Sequence, residues 1–124
     1  MKGALKNEDG GNRCLDKMNQ NMGGHAGTYL CHGQGSNQNW MLTVHQELRS
    51  IDDMCLQPLT PTSPSILISG CSRSAVQQWS YDKEKHTLAA NDGRCLEVTV
   101  GSPGLRVAAC AAESRSQRWI FVKM

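Results

Sequence analysis

Apolar residues come in short runs along this chain. "TYLC" (28–31), "SILISGC" (65–71), "LRVAAC" (105–110) and "RWIFV" (118–122) are each four to seven residues long. Gly, Asn, Asp and Ser, residues that turn a backbone, punctuate the sequence between such runs. No amphipathic helical period survives a window of twelve residues. The pattern therefore predicts short β-strands joined by turns. Asp9-Gly10 and Asp92-Gly93 are turn signals, each set just before a Cys-Leu strand.

The pattern repeats. All three tryptophans sit in a Gln-x-Trp triplet: Gln38-Asn39-Trp40, Gln77-Gln78-Trp79 and Gln117-Arg118-Trp119. Each triplet follows a cysteine (Cys31, Cys71, Cys110), and each of these follows a Cys-Leu pair (Cys14-Leu15, Cys55-Leu56, Cys95-Leu96). A further leucine lies upstream in "LKNEDGGNRCLD", "LRSIDDMCLQ" and "LAANDGRCLE". The chain thus reads as three units of about 40 residues, near 1–42, 43–82 and 83–124. Each has room for four strands, starting near the upstream Leu, the Cys-Leu, the residues before the second Cys, and the Gln-x-Trp. One such unit cannot bury its apolar face alone; three around a pseudo-three-fold axis can. The expected fold class is all-β, a β-trefoil forming one domain over residues 1–124. Strand alternation would put the Gln and Trp of each triplet on one face, with Trp40, Trp79 and Trp119 in the core. Gln38, Gln77 and Gln117 then satisfy buried polar groups.

The six cysteines change the picture of the compartment. Their positions within the repeats pair Cys14 with Cys31, Cys55 with Cys71 and Cys95 with Cys110, at intervals of 17, 16 and 15 residues. Six cysteines allow fifteen connectivities, and threefold repetition favours this one over free buried thiols. No close Cys pairs stand at zinc-ligand spacing. Each bridge would close a loop worth roughly 3 kcal/mol, in an oxidising compartment. The net charge of +2 gives no basic surface for nucleic acid. No apolar run is long enough for a membrane span, and no cleavable signal opens the sequence.

The three Gln-x-Trp triplets with their Cys-Leu and second-Cys elements resemble the ricin-type lectin domain, a β-trefoil. "CLD" followed by "YLCHGQGSNQNW" is similar, more narrowly, to the C-terminal lectin domain of polypeptide N-acetylgalactosaminyltransferases, Golgi enzymes that begin mucin-type O-glycosylation. The resemblance covers essentially the whole chain, with no length left for a catalytic domain. It implies a lectin domain with no cofactor and no metal, a Golgi-lumen location, and GalNAc-bearing glycopeptides as partners. It also implies that the domain steers a catalytic domain joined in cis.

In ricin-type sites a carboxylate follows Cys-Leu, and an aromatic stands two before the second Cys. A polar residue follows that Cys, and Asn precedes the Gln of Gln-x-Trp. The resemblance assigns these roles to Asp16, Tyr29, His32 and Asn37 in the first repeat. Asp16 would accept hydrogen bonds from two vicinal sugar hydroxyls, Tyr29 would stack on the C–H face of the ring, Asn37 would donate and accept, and His32 would reach a hydroxyl or acetamido group. The second repeat has Gln57, Ser69, Ser72 and Val76 at these positions, and the third Glu97, Ala108, Ala111 and Ser116. Both are expected to be scaffold. His25, His45 and His86 are expected to be surface residues.

Other readings stay open. In one, Asp16 only caps a turn; in others the trefoil is a sugar-free protein ligand or binds another glycan such as galactose. Asp16 and His32 form no recognisable catalytic set: no nucleophile elbow, zinc-protease or phosphate-loop motif accompanies them. Glycoside hydrolysis needs two carboxylates, and the first-repeat motif has only Asp16. The stretch "QPLTPTSPS" (57–65) should be a loop, since Pro58, Pro61 and Pro64 forbid a central strand. There Thr60, Thr62 and Ser63 resemble a mucin-like O-glycan acceptor. The cysteine pattern is directly testable. A non-reduced digest should contain Cys14–Cys31, Cys55–Cys71 and Cys95–Cys110 peptides by mass spectrometry, and dominant pairing between repeats would contradict the trefoil register.

Overall fold

The computed structural model describes residues 1–20, 23–34, 36–60, 62–99 and 104–123. The strands run in order β1 (Lys2–Asn7), β2 (Arg13–Asp16), β3 (Gly27–Leu30), β4 (Trp40–Leu42), β5 (Leu48–Ser50), β6 (Met54–Pro58), β7 (Ile66–Gly70), β8 (Trp79–Asp82), β9 (Thr87–Ala90), β10 (Cys95–Val98), β11 (Leu105–Ala108) and β12 (Trp119–Val122). Strands β2–β3, β6–β7 and β10–β11 are three antiparallel hairpins. The other six strands wind around the core. β1 pairs with β12 and β4, β4 with β5, and β8 with β9. Single links close the remaining gaps: Glu47 bridges Gln78, and Trp119 N–H donates to the His86 carbonyl at 2.6 Å. Among the described residues no helix is long and apolar enough to cross a membrane.

The core is built from the repeated positions. Leu5, Leu15, Leu48, Leu56, Leu88 and Leu96 are fully buried, with Trp40, Trp79 and Trp119 among them. Burying an indole requires a partner for its N–H. Each finds the same one: Trp40, Trp79 and Trp119 donate to the carbonyls of Leu15, Leu56 and Leu96 at 3.0, 2.9 and 3.0 Å. The disulfides Cys14–Cys31, Cys55–Cys71 and Cys95–Cys110 all form, each with a Cα separation of 5.1 Å. Each ties the start of a hairpin to the segment leading into the next Gln-x-Trp.

The glutamines do not sit on strands. Gln38, Gln77 and Gln117 end short 3-10 turns (Ser36–Gln38, Ala75–Gln77, Arg115–Gln117), and the strand begins only at the Trp. The expected alternation of Gln and Trp along one strand is therefore corrected: a turn and a strand start deliver both side chains inward. Each Gln amide is used in the same way. Its nitrogen donates to the carbonyl before the second Cys (Leu30, Gly70, Ala109) at 2.8 to 2.9 Å. Its oxygen accepts the backbone N–H after that Cys (His32, Ser72, Ala111). The nitrogen's second hydrogen goes to the side chain following Cys-Leu: Asp16, Gln57 or Glu97.

Two further expectations change. Pro58 is not in a loop but ends β6, paired with Ile66, where a missing N–H interrupts nothing further along the ladder. The turn after it closes by Leu59 N–H donating to the Ser65 carbonyl, with Thr60 and Thr62 exposed; Pro61 lies outside the described residues. His86 is half-buried rather than a free surface residue. It pairs with Glu8 at 3.0 Å, so the third repeat meets the first there. Tyr81 O–H donates to the Trp119 carbonyl beside this contact, and burial, then the Glu8 charge, raise its phenol pKa. Gly3 answers a close approach on the other side: its φ is +138°, and a Cβ there would run into the Val122 carbonyl.

Substituting one amide tests how much the turns contribute. Gln77→Ala strands the Gly70 carbonyl, the Ser72 N–H and the side-chain oxygen of Gln57, at a cost of about 2–4 kcal/mol. A fall in thermal midpoint of roughly 10 °C is expected for a domain of this size. An unchanged melt would show that water replaces the amide at no cost.

Candidate functional site

The first-repeat residues converge because the hairpin register and Gln38 bring them together. Asp16 ends β2 opposite Gly27, and Cys14 lies opposite Tyr29. Directly opposed residues of an antiparallel pair share a face, as do residues two apart. Asp16 and Tyr29 are therefore on one face of the hairpin. Asn37 joins them from the turn: its carbonyl accepts the Lys17 N–H at 2.9 Å, and its Nδ2 donates to Asn19 Oδ1 at 2.7 Å. His32 follows the disulfide and is anchored by its backbone N–H to Gln38 Oε1, while its ring stays exposed. Its Nδ1 accepts the Gln34 N–H at 3.1 Å, which in the neutral ring leaves the proton on Nε2, facing away from that turn.

Asp16 is only 4% exposed, and each oxygen already has one donor: Met18 N–H to Oδ1 at 2.7 Å and Gln38 Nε2 to Oδ2 at 3.0 Å. A carboxylate has about four lone-pair sites, so each oxygen keeps acceptor capacity. Asp16 is thus a nearly buried turn cap that retains acceptor capacity. The cap holds Met18 at φ +59°, followed by Asn19 at +56°, conformations a side chain resists and a fixed partner must hold. Tyr29 is 59% exposed, its ring spread on the surface rather than packed in the core.

The other repeats use the same position differently. Gln57 gives Oε1 to Gln77 and donates to the Pro58 carbonyl, with Leu67 opposite it. Glu97 lies opposite Arg106, whose Nε donates to Oε2 at 2.7 Å, while Gln117 and Ser116 reach Oε1. Glu97 is therefore neutralised across its own hairpin. Among the described residues no cation pairs with Asp16. The sequence reading missed the opposing residues Gly27, Leu67 and Arg106. They stand two positions before the aromatic slot, and comparing the repeats there would have exposed them.

A second missed element supports the site from below. Lys17 is buried, and its ammonium donates to the Gln20 carbonyl at 3.0 Å and to Asp52 at 2.6 Å. It fixes the loop after Asp16 to the second repeat.

The family model of the ricin-type beta-trefoil lectin domain matches residues 1–119. This chain belongs to that family. It is a carbohydrate-binding lectin domain related to those of the N-acetylgalactosaminyltransferases. It is 33% identical to polypeptide N-acetylgalactosaminyltransferase 13 of Rattus norvegicus over 91% of this chain and 20% of the enzyme. Polypeptide N-acetylgalactosaminyltransferase 4 of Caenorhabditis elegans is 30% identical over 92% of this chain and 20% of the enzyme. The lectin domain thus spans about a fifth of these relatives' length. The crystal structure of GalNAc-T7 with UDP, GalNAc and Mn2+ superposes with a TM-score of 0.86 at 22% identity, covering 98% of this chain and 22% of that one. The β-trefoil lectin of the Vibrio vulnificus hemolysin/cytolysin matches with a TM-score of 0.79 at 23% identity, over 99% and 95% of the two chains. Both likenesses concern the fold. The family match takes up nearly the whole chain, so the chain is the lectin part and not a transferase catalytic domain.

The Lys17–Asp52 contact makes part of the stability pH-dependent. The Lys17 hydrogen bond, then that of Ser50, hold the Asp52 carboxyl below its ordinary value. Its contribution is therefore fully present above about pH 4 and is lost as pH falls through the lowered folded-state value. Half of the Asp52 side chain faces solvent, so the effect is on the order of 0.2–1 kcal/mol. Asp52→Asn should melt below wild type at pH 7 and converge with it near pH 2. A constant gap across that range would sink the assignment.

Proposed function

We propose that the lectin domain binds GalNAc, O-linked to Ser or Thr of glycopeptides, through a single site in its first repeat. Asp16 accepts the hydroxyl pair, Asn37 donates and accepts beside it, Tyr29 stacks on the ring, and His32 reaches the edge of the sugar. The observation that carries this reading is the contrast between repeats. Asp16 keeps unpaired acceptor capacity beside an exposed aromatic ring, whereas Glu97 is neutralised by Arg106 and Gln57 is an uncharged amide opposite Leu67. The GalNAc-transferase names of the relatives favour GalNAc over other galacto-configured sugars. In such an enzyme the domain would hold an already glycosylated substrate and steer a catalytic domain in cis, in the Golgi lumen. Thr60 and Thr62 are exposed acceptors that the same modification would fit.

The test must separate binding from folding. Asp16→Ala would leave both Gln38 and Met18 without an acceptor, so Asp16→Asn is the milder variant: its single amide oxygen can serve Gln38, as Gln57 serves Gln77, while the Met18 cap is given up. A charge-assisted hydrogen bond contributes about 1.5–3 kcal/mol. A millimolar site has only about 4 kcal/mol in all. Titration of α-methyl-GalNAc, followed by backbone amide shifts, should give one saturable cluster within residues 14–40, lost in Asp16→Asn under conditions where its melt shows that variant folded. Competition by galactose and by lactose ranks the sugars. Wild-type binding by folded Asp16→Asn would refute the site. A saturable cluster between Cys95 and Trp119 would refute the single stoichiometry.

A further inference from the structure

Gly27 sits where no turn demands a glycine. It begins β3 with ordinary extended backbone, unlike Gly3, Gly10, Gly23, Gly33, Gly93 and Gly104, which take positive φ. A glycine inside a strand weakens it, and where φ does not call for one, the missing side chain is the reason to keep it. Its cross-strand partner is Asp16. Opposed residues on one face hold their Cβ atoms about 5 Å apart, so any side chain at position 27 would stand against the Asp16 carboxylate.

The other two repeats show what happens when that position is filled. Arg106 faces Glu97 and occupies Oε2 at 2.7 Å. Leu67 faces Gln57 and is 7% exposed. It lies outside the central cluster that takes its neighbours Ile66 and Ile68, so it packs on the hairpin's other face, over the position that Asp16 holds in the first repeat. We propose that the residue opposite the Cys-Leu-x side chain gates each site, and that Gly27 is the specificity-determining residue: Asp16 is itself only 4% exposed, and with no side chain across the strand its remaining acceptor sites stay unpaired for a sugar hydroxyl. Arg106 occupies the third-repeat carboxylate with a charge, and Leu67 sets bulk across the strand from Gln57. Loss of the aromatic and the Asn in those repeats is then a second barrier, and restoring them alone would not open a site.

The inference rests on GalNAc binding at Asp16, and the experiment separates the two. Gly27→Ala, Gly27→Leu and Gly27→Arg are titrated with α-methyl-GalNAc beside wild type and Asp16→Asn, each checked by melt and near-UV circular dichroism. Affinity should fall stepwise, about threefold or more for Ala and beyond detection for Leu and Arg. Arg106 is exposed, whereas Gly27 is buried, so Gly27→Ala carries the test and Gly27→Leu and Gly27→Arg count only where the melt shows them folded. If wild type binds, Asp16→Asn does not, and folded Gly27→Ala and Gly27→Leu bind within twofold of wild type, the gate is wrong while the site stands. If Gly27→Ala cannot fold, packing rather than ligand space accounts for the glycine, and the gate is again overturned. If wild type fails to bind, or Asp16→Asn binds as well as wild type, the underlying reading of the site fails.

Discussion

The whole arrangement depends on one side-chain amide used three times over. In each repeat a buried Gln ties together strands that the chain visits far apart: the hairpin's first strand, the segment at the second cysteine, and the strand that the neighbouring Trp begins. All three of its hydrogen-bonding directions are filled by the protein. An amide can do this because it offers two donors and an acceptor in one plane. A carboxylate at that position would put acceptors against the Leu30, Gly70 and Ala109 carbonyls. A leucine would strand three polar groups. The disulfide covers the same junction covalently, so the amide sets the geometry while the bridge restricts the unfolded chain.

That geometry asks little of the residue after Cys-Leu. It needs only a side-chain oxygen within reach of the Gln nitrogen. Asp16, Gln57 and Glu97 all supply one, at 3.0, 2.9 and 3.3 Å. The structural requirement is thus looser than any binding requirement, and the three repeats differ within it. A threefold scaffold can lose binding in two repeats while keeping its fold. The reverse does not hold: a change at Gln38 disturbs the fold and the Asp16 carboxylate together.

Much of this was legible in the chain. The strands, the disulfides and the buried tryptophans follow from features that recur at fixed intervals, and recurrence averages out local ambiguity. What escaped was of two kinds. The 3-10 turns at Ser36–Gln38 and its counterparts are three residues long, too short for a helical period to register, so Gln-x-Trp read as strand alternation. The contacts Arg106–Glu97, Lys17–Asp52 and His86–Glu8 join residues 9, 35 and 78 positions apart. They depend on register and on chain closure, which no local pattern carries. Pro58 misled for a related reason: its pairing with Ile66 at a strand end becomes visible only when the partner is known.

The same distinction bears on how far function can be read from site residues alone. Tyr29, His32 and Asn37 mark the first repeat by their identity, and a repeat alignment finds them. Asp16 and Glu97, however, are both carboxylates at equivalent positions, and residue type separates them only by a methylene. The difference that matters chemically is across the strand. Glu97 faces a guanidinium, and an acceptor already bonded to a cation gains little by exchanging it for a neutral hydroxyl. Asp16 faces a residue with no side chain at all. A carboxylate's availability is therefore a property of the hairpin rather than of the residue. Cross-strand neighbours must be compared before a repeat of this kind is read as binding or silent.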